Sequence, residues 1–206
     1  MAAECRDRGL KLTPARTCVL EALLESHQAL TAYELLDRLR AAGLDLYTRK
    51  GNRPDGEQFG FSVAGGRIRG HVDGVIAAAP AALGLRTPAL WECKTMNAKN
   101  WRETVAKGVT VAKPVYAAQI ALYQAYMEGT VPGISAAPAV FTAINKDTCE
   151  IWHESVPFDA ALAQSASDKA VTILRACDAG EVLPRHTADP DHFECRFCAW
   201  RERCWA

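Results

Sequence analysis

The middle of the chain is organised in short runs of apolar and β-branched residues that alternate with polar ones and are separated by glycine and proline. This pattern predicts β-strands. Gly65-Gly66 predicts a hairpin turn between the first run and its partner. The predicted strands lie at 59–63, at 67–69 continued by 72–76, at 89–95, and in a hairpin of 140–145 and 150–156.

Helical spacing of apolar residues appears in two long segments, 114–128 and 159–179. Asp159 is placed to cap the second of these helices, and Gly180 to end it. Residues 10–43 predict two further helices, the second opening with a capping box of Thr31 and Glu34 and ending at Gly43. Strands that alternate with helices in this way indicate an α/β fold with a small helical N-terminal appendage.

Composition narrows the class of protein without identifying a function. The chain has 206 residues, of which 49% are hydrophobic and 23% charged, as in ordinary globular proteins. Its formal net charge is +0, so any contact with nucleic acid must come from local patches. No apolar run is long enough to span a membrane and no signal segment is visible, which predicts a cytoplasmic protein without a membrane partner. Eight cysteines in such a protein suggest metal ligands or free thiols rather than disulfides.

Candidate chemistry lies in two of the predicted strands, which carry Asp73 and the triplet Glu92-Cys93-Lys94. Strand alternation places Glu92 and Lys94 on the same face of the sheet. Carboxylates surrounded by apolar residues need a partner or a metal. Two carboxylates with a backbone carbonyl, here that of Cys93, suit Mg²⁺ or Mn²⁺ beside a reactive water. The lysine could orient that water, help to deprotonate it, or stabilise a phosphate. The competing interpretation is a chance spacing of charged residues.

Gln119 and Tyr123 lie one turn apart on a predicted helix and therefore share a face. On this geometry alone, the pair could equally be a polar residue beside a core aromatic residue.

Taken in order, Gly70-x-x-Asp73, Glu92-x-Lys94 and Gln119-x-x-x-Tyr123 resemble the motifs of the PD-(D/E)XK nucleases, specifically the RecB-like, phage-type exonuclease branch, over residues 44–206. The resemblance implies a restriction-endonuclease-like fold, with a mixed central sheet flanked by helices. It implies metal-dependent hydrolysis of phosphodiester bonds in DNA. It also implies that Asp73 and Glu92 bind Mg²⁺ or Mn²⁺, that Lys94 is the catalytic lysine, and that Gln119 and Tyr123 line the substrate side of the helix.

A stretch rich in Lys and Arg, which we call the basic stretch, follows Lys94 and extends to Lys113. It suits a nucleic-acid backbone with one stacked base, and the alternative is a solvated loop. The candidate DNA-binding residues are Lys99, Trp101, Arg102, Lys107 and Lys113.

The tail, from residue 183 to 206, is rich in Cys, His and Pro and contains Cys195-x-x-Cys198-x5-Cys204. This spacing lets the thiolates converge on one metal. In the RecB-like branch, which the tail resembles, three such cysteines join a fourth from before the nuclease core to hold a [4Fe-4S] cluster. Cys5 and Cys18 do not match that fourth position. His192 could instead complete a Cys₃His zinc site, and free thiols are the third interpretation.

The first residues carry a second resemblance. Leu12-Thr13-Pro14-Ala15-Arg16 and 32–37 resemble the start of the ferric and zinc uptake regulators, over about 5–43. The recognition helix should follow, but residues 44–56 cannot form it. We therefore expect a chimera of a truncated winged-helix segment, 1–43, and a nuclease domain, 44–206, in which Glu34 could support the metal site. A DNA-binding regulator and an inactive nuclease remnant are the alternative functions.

Overall fold

The computed structural model describes residues 40–52 and 55–206. The predicted N-terminal helices therefore lie outside the described residues, as do Cys5, Cys18 and Glu34. The strands are β1 (Asp45–Tyr47), β2 (Gly60–Val63), β3 (Ile68–His71), β4 (Gly74–Ala78), β5 (Ala89–Met96), β6 (Ala139–Asn145) and β7 (Ile151–Val156). The helices are α1 (Ala98–Lys107), α2 (Val109–Ala112), α3 (Pro114–Met127), α4 (Ala160–Ala179), α5 (Phe193–Arg196) and α6 (Arg201–Trp205).

The chain divides into two compact units, one ending at Ala166 and the other spanning Ser167–Ala206. The boundary predicted near residue 43 remains a prediction. None of the helices in the described part of the chain is long and apolar enough to cross a membrane.

A five-stranded sheet in the order β1-β4-β5-β6-β7 forms the centre of the first unit. Strands β5 and β6 run parallel, and each of the other neighbouring pairs is antiparallel. The parallel pair is joined through helices α1 to α3, as a crossover connection requires. The predicted α/β fold with a mixed central sheet flanked by helices is therefore confirmed.

The segment 67–76 is not the single strand that the sequence predicts. Its first part, β3, pairs with β2 in a separate two-stranded sheet, whereas β4 enters the central sheet. Asp73 consequently lies in the bend between the two strands rather than inside one. The second strand starts at Gly74, where a Cβ would lie 2.9 Å from both Leu46 Cδ1 and Trp91 Cε3, so a larger residue would force those side chains to shift.

Strand alternation separates two apolar clusters across β5. Leu90 and Met96 belong to the larger cluster, with Ile120 of α3 and Phe141 of β6. Ala89 belongs to the smaller cluster, against which Trp91 packs. Glu92 and Lys94 have the same parity as Leu90 and Met96, so they lie on the face of the sheet that α3 covers.

Strand β1 and helices α1 and α2 were not predicted. The strand β1 is only three residues long and lies at the edge of the sheet. Helix α1 occupies the basic stretch for which a loop was the alternative interpretation. It begins where the Asn97 side chain accepts a hydrogen bond from Asn100 N at 2.9 Å, and it ends at Gly108, whose φ is +77°.

The predicted long helices are confirmed. Helix α4 begins after Asp159, whose Oδ1 accepts a hydrogen bond from Leu162 N at 2.8 Å, and Gly180 follows it with φ +67°. The tail, predicted to be irregular, contains the two short helices α5 and α6.

Candidate active site

Three residues of the predicted motif meet at the junction of β4 and β5. The Lys94 ammonium donates a hydrogen bond to Glu92 Oε1, and Asp73 Oδ2 accepts one from the backbone N–H of Cys93 at 2.8 Å. This bond fixes Asp73 beside the segment of β5 that carries Glu92, so the two carboxylates lie near one another. The structure thus brings together the three residues that the sequence singles out.

One oxygen of Glu92 has no hydrogen-bond partner among the described residues. The side chain is 1% exposed, and its Oε2 is one of two buried side-chain polar atoms of the described residues that make no hydrogen bond. Leaving a buried charged oxygen unpaired costs free energy that a bound cation would offset. Hard divalent ions prefer oxygen ligands, so the residues present fit Mg²⁺ or Mn²⁺. The part assigned to the backbone carbonyl of Cys93 remains a prediction.

Burial and charge shift the ionisation of this cluster. Burial raises the pKa of Glu92 above its usual value, and the nearby negative charge of Asp73 adds to this effect although Lys94 opposes it. The pKa of Lys94 is also raised, because burial, which lowers it, is outweighed by the hydrogen bond and attraction of Glu92 and by the charge of Asp73. The lysine therefore remains an ammonium at neutral pH, suited to orienting water or a phosphate rather than to accepting a proton.

Tyr123 packs beside the loop that carries Asp73. Its ring meets that of Phe61 edge-on with centroids 5.4 Å apart. A Cβ at Gly70 would lie 2.5 Å from Phe61 Cζ and 2.8 Å from Tyr123 Cε1, so the glycine of the Gly-x-x-Asp motif is required by this packing. Gln119 is half-buried one turn earlier on α3. The substrate-facing role of both helix residues remains a prediction.

Tyr116, which was not predicted, also contacts the site through Lys94. The Lys94 Nζ lies 5.6 Å from the centre of the Tyr116 ring, and the tyrosine contributes to raising the lysine pKa. The only signal in the sequence is that Tyr116 precedes Gln119 by three positions and Tyr123 by seven, which places all three on one helical face.

The basic stretch forms helix α1, which places some of its candidate DNA-binding residues on the surface and others against the core. Lys99 and Arg102 are exposed, whereas Trp101 packs against the core and donates its indole N–H to the Ala143 carbonyl at 3.1 Å. Trp101 therefore anchors α1 to the sheet, and its stacking on a base remains a prediction. The remaining two cations already have partners: Lys107 pairs with Glu103, and Lys113 donates to Asn100 Oδ1 at 2.9 Å.

The three tail cysteines do not form a preassembled metal site. Among the described residues, the one group of three metal-ligand side chains within 4.8 Å is His186, His192 and Glu194. The cysteines at 195, 198 and 204 are free thiols outside that group. The predicted cluster or Cys₃His zinc site is thus not shown by the structure, and remains a prediction.

Comparison with models of known protein families identifies the family to which this chain belongs. The family model of the PD-(D/E)XK nuclease superfamily matches residues 4–205, nearly the whole chain. The chain therefore belongs to the PD-(D/E)XK nuclease superfamily. The matched range includes the N-terminal residues that resemble an uptake regulator, and that second resemblance is not confirmed.

Other comparisons add less. No curated protein matches the chain. A solved structure titled "Crystal structure of SSO0001" is similar, with 16% sequence identity, a TM-score of 0.38, and coverage of 70% of this chain. The match spans 55% of that protein's chain, so the present chain corresponds to about half of it.

Proposed function

We propose that the protein is a metal-dependent nuclease that hydrolyses phosphodiester bonds in DNA. The observation that carries the proposal is the buried, unpaired Oε2 of Glu92, held beside Asp73 and Lys94. A carboxylate in this position destabilises the protein unless a cation is bound, which is expected of a ligand retained for a metal. Membership of the nuclease superfamily supports the same conclusion.

In this proposal, Asp73 and Glu92 bind Mg²⁺ or Mn²⁺, which when bound would acidify a water and neutralise charge on the scissile phosphate. Lys94 acts as a fixed cation that orients the attacking water or the phosphate, since its raised pKa keeps it protonated. Tyr116 restrains the lysine from the helix side through contact with its ammonium. Gln119 and Tyr123 are proposed to contact the substrate along the same face of α3.

The proposed path of the DNA backbone follows the outer surface of α1. Lys99 and Arg102 are exposed there, without an acidic partner in any ion pair that the structure shows among the described residues. Such cations bind phosphates without reading sequence.

The decisive experiment is a nuclease assay on labelled single- and double-stranded DNA with Mg²⁺ or Mn²⁺. Replacing any of Asp73, Glu92 or Lys94 with alanine should lower the rate by roughly three orders of magnitude or more, because residues that act as a unit lose function together. A Gly129→Ala variant is a matched control, because a Cβ there meets nothing within 4 Å. If Glu92→Ala protein cleaves as fast as the parent, and EDTA still stops both, the assignment of the site is wrong.

We also propose that cleavage starts from DNA ends, as in the RecB-like branch. Linear DNA should then be degraded progressively while a closed circle of the same sequence remains intact. Nicking or linearisation of the circle would assign an endonuclease instead.

The cysteine tail is proposed to hold a [4Fe-4S] cluster. Anaerobically purified protein would be brown, with charge-transfer absorbance that a Cys198→Ser variant loses. Colourless parent protein without iron would remove this proposal.

A further inference from the structure

We infer that His186, His192 and Glu194 form a transition-metal site, with Zn²⁺ as the fitting ion, that holds the tail in its fold. The three ligand atoms lie within 4.8 Å of one another. This set shares no residue with the active site, and neither the nuclease reaction nor the cysteine triplet requires it.

The geometry is close to that of a bound ion. Glu194 Oε2 lies 2.9 Å from His186 Nε2 and 3.9 Å from His192 Nδ1. Ligands about 2.05 Å from a tetrahedral zinc are separated by about 3.3 Å, a value between those two distances. Small side-chain rotations would therefore equalise the three separations, since all three side chains are on short, exposed or half-buried segments.

An ion pair alone does not account for the arrangement. A protonated His186 could pair with Glu194, but the contact is solvent-exposed and would contribute little to stability. A further contact of the cluster is the hydrogen bond that His192 Nδ1 accepts from the backbone N–H of Glu194, but at 3.4 Å this bond is long, and an ion bound at Nδ1 would replace it. The ring centres of the two histidines are 5.7 Å apart, which is compatible with both binding one ion.

Apolar packing does not stabilise the tail. Residues 180–206, all of which the structure describes, contain no buried side chain, and Phe193, Phe197 and Trp200 are exposed. The segment is held by exposed polar contacts, such as Arg185 Nε to the Cys204 carbonyl at 2.8 Å and Arg201 to Asp191 at 2.9 Å. A segment of this size without an apolar core generally needs a metal, a disulfide or a partner to fold.

The donor set selects the ion. Imidazoles with one carboxylate suit Zn²⁺ and its neighbours in the first transition row, whereas Mg²⁺ prefers oxygen ligands alone. Three protein ligands leave the fourth tetrahedral position for water. The active-site carboxylates and the tail site should therefore take different ions from a mixture of the two.

The test is a Zn²⁺ titration of the full-length protein in excess Mg²⁺, which occupies the carboxylate site. The parent should bind Zn²⁺ at a site that His186→Gln and Glu194→Gln weaken by more than about 100-fold, since removing even an outer-shell partner costs roughly 10–100-fold. His153→Gln is the control, because this exposed histidine is outside the three-residue group found among the described residues. Cys198→Ser with Cys204→Ser should leave the affinity unchanged.

A second measurement does not depend on any variant folding. Co²⁺ bound to the parent in place of Zn²⁺ should show weak visible d–d bands without the intense near-ultraviolet band of a thiolate ligand. A strong thiolate band, a loss of Zn²⁺ binding in the serine variant with retention in His186→Gln, or no Zn²⁺ binding by the parent would each overturn the inference. A thiolate-free spectrum, with Zn²⁺ binding abolished in both His186→Gln and Glu194→Gln, would establish it.

Discussion

At the scale of single residues, the burial of Glu92 costs stability, and the proposed metal site would explain that cost. One oxygen of Glu92 is paired with Lys94. The other has no hydrogen-bond partner in the part of the chain that the structure describes, although the side chain is almost fully buried. Burial raises its pKa, which means that the fold favours the protonated, neutral form. A function-free protein would place an apolar residue here, so the carboxylate indicates a ligand.

The first prediction follows from the sign of that shift. Because the pKa of Glu92 is raised in the fold, its ionisation reduces stability as pH rises from the usual value of 4.5 through the folded value. Glu92→Gln removes this titration. In metal-free buffer, the melting temperature of the variant should therefore rise relative to that of the parent as pH increases from about 4.5 to neutral. Thermal denaturation at several pH values measures this difference, and a gap that shrinks with pH would contradict the prediction.

The second prediction concerns Tyr116. Its ring lies 5.6 Å from the Lys94 ammonium, a contact worth about 0.5–2 kcal/mol in proteins. Tyr116→Leu should thus lower kcat by roughly 2- to 30-fold, whereas Tyr116→Phe keeps the ring and most of the rate. A pH–rate profile distinguishes positioning from mere packing, because only removal of the ring from the lysine shifts its alkaline limb to lower pH. Equal kinetics for the two variants would mean that the ring does not restrain the lysine.

At the scale of elements, the position of the loop between β3 and β4 depends on Gly70. The rings of Phe61 and Tyr123 pack against this glycine, where a side chain would not fit. Gly70→Ala would force Phe61 and Tyr123 apart, and such overpacking typically costs about 1–3 kcal/mol. We expect a lower melting temperature and a reduced rate, since Asp73 follows three residues later. Gly129→Ala provides the matched control, having open space around its Cβ. Equal decreases in the two variants would show that the ring contacts do not hold the loop.

The same loop shows where sequence patterns reach their limit. The sequence pattern predicts β5, β6 and β7 well, because β7 alternates exposed and half-buried positions and because β5 and β6 are mostly apolar runs with several buried residues. The same pattern predicts β3 and β4 as one continuous strand, because nothing in the local sequence indicates that the chain passes from one sheet to another at Val72 and Asp73. Helix α1 escapes prediction because its ten residues hold few large apolar side chains among charged and polar ones, and Thr104 is the one that is fully buried.

The candidate site, too, could be predicted from the sequence only in part. Order and spacing along the chain predict that Asp73, Glu92 and Lys94 come together, because neighbouring strands and alternation decide it. Tyr116 could not be predicted, as its contact with Lys94 depends on how α3 crosses β5. The histidine pair of the tail depends likewise on the turn before α5, which brings His186 back to Glu194.

At the scale of the whole molecule, charge balance constrains how DNA is bound. The chain has 24 basic and 24 acidic residues, so it lacks a global field that would attract a polyanion. Any electrostatic attraction must come from a few exposed cations placed together. On the described part of the chain, Lys99 and Arg102 of α1 are such a pair, close in sequence to the active-site strand.

The last prediction tests this local path by its salt dependence. Lys99→Glu with Arg102→Glu, in a Glu92→Gln background that keeps DNA intact, should weaken binding and reduce the slope of log K against log salt by about one unit for each phosphate that these cations neutralise. The double variant Lys169→Glu with Arg175→Glu, on the exposed surface of α4, changes the net charge equally and is the control. Weaker binding confined to the α1 variant assigns the DNA path to that helix, because a net-charge effect would weaken both proteins alike. Equal affinities and slopes in both would place the phosphates elsewhere on the molecule.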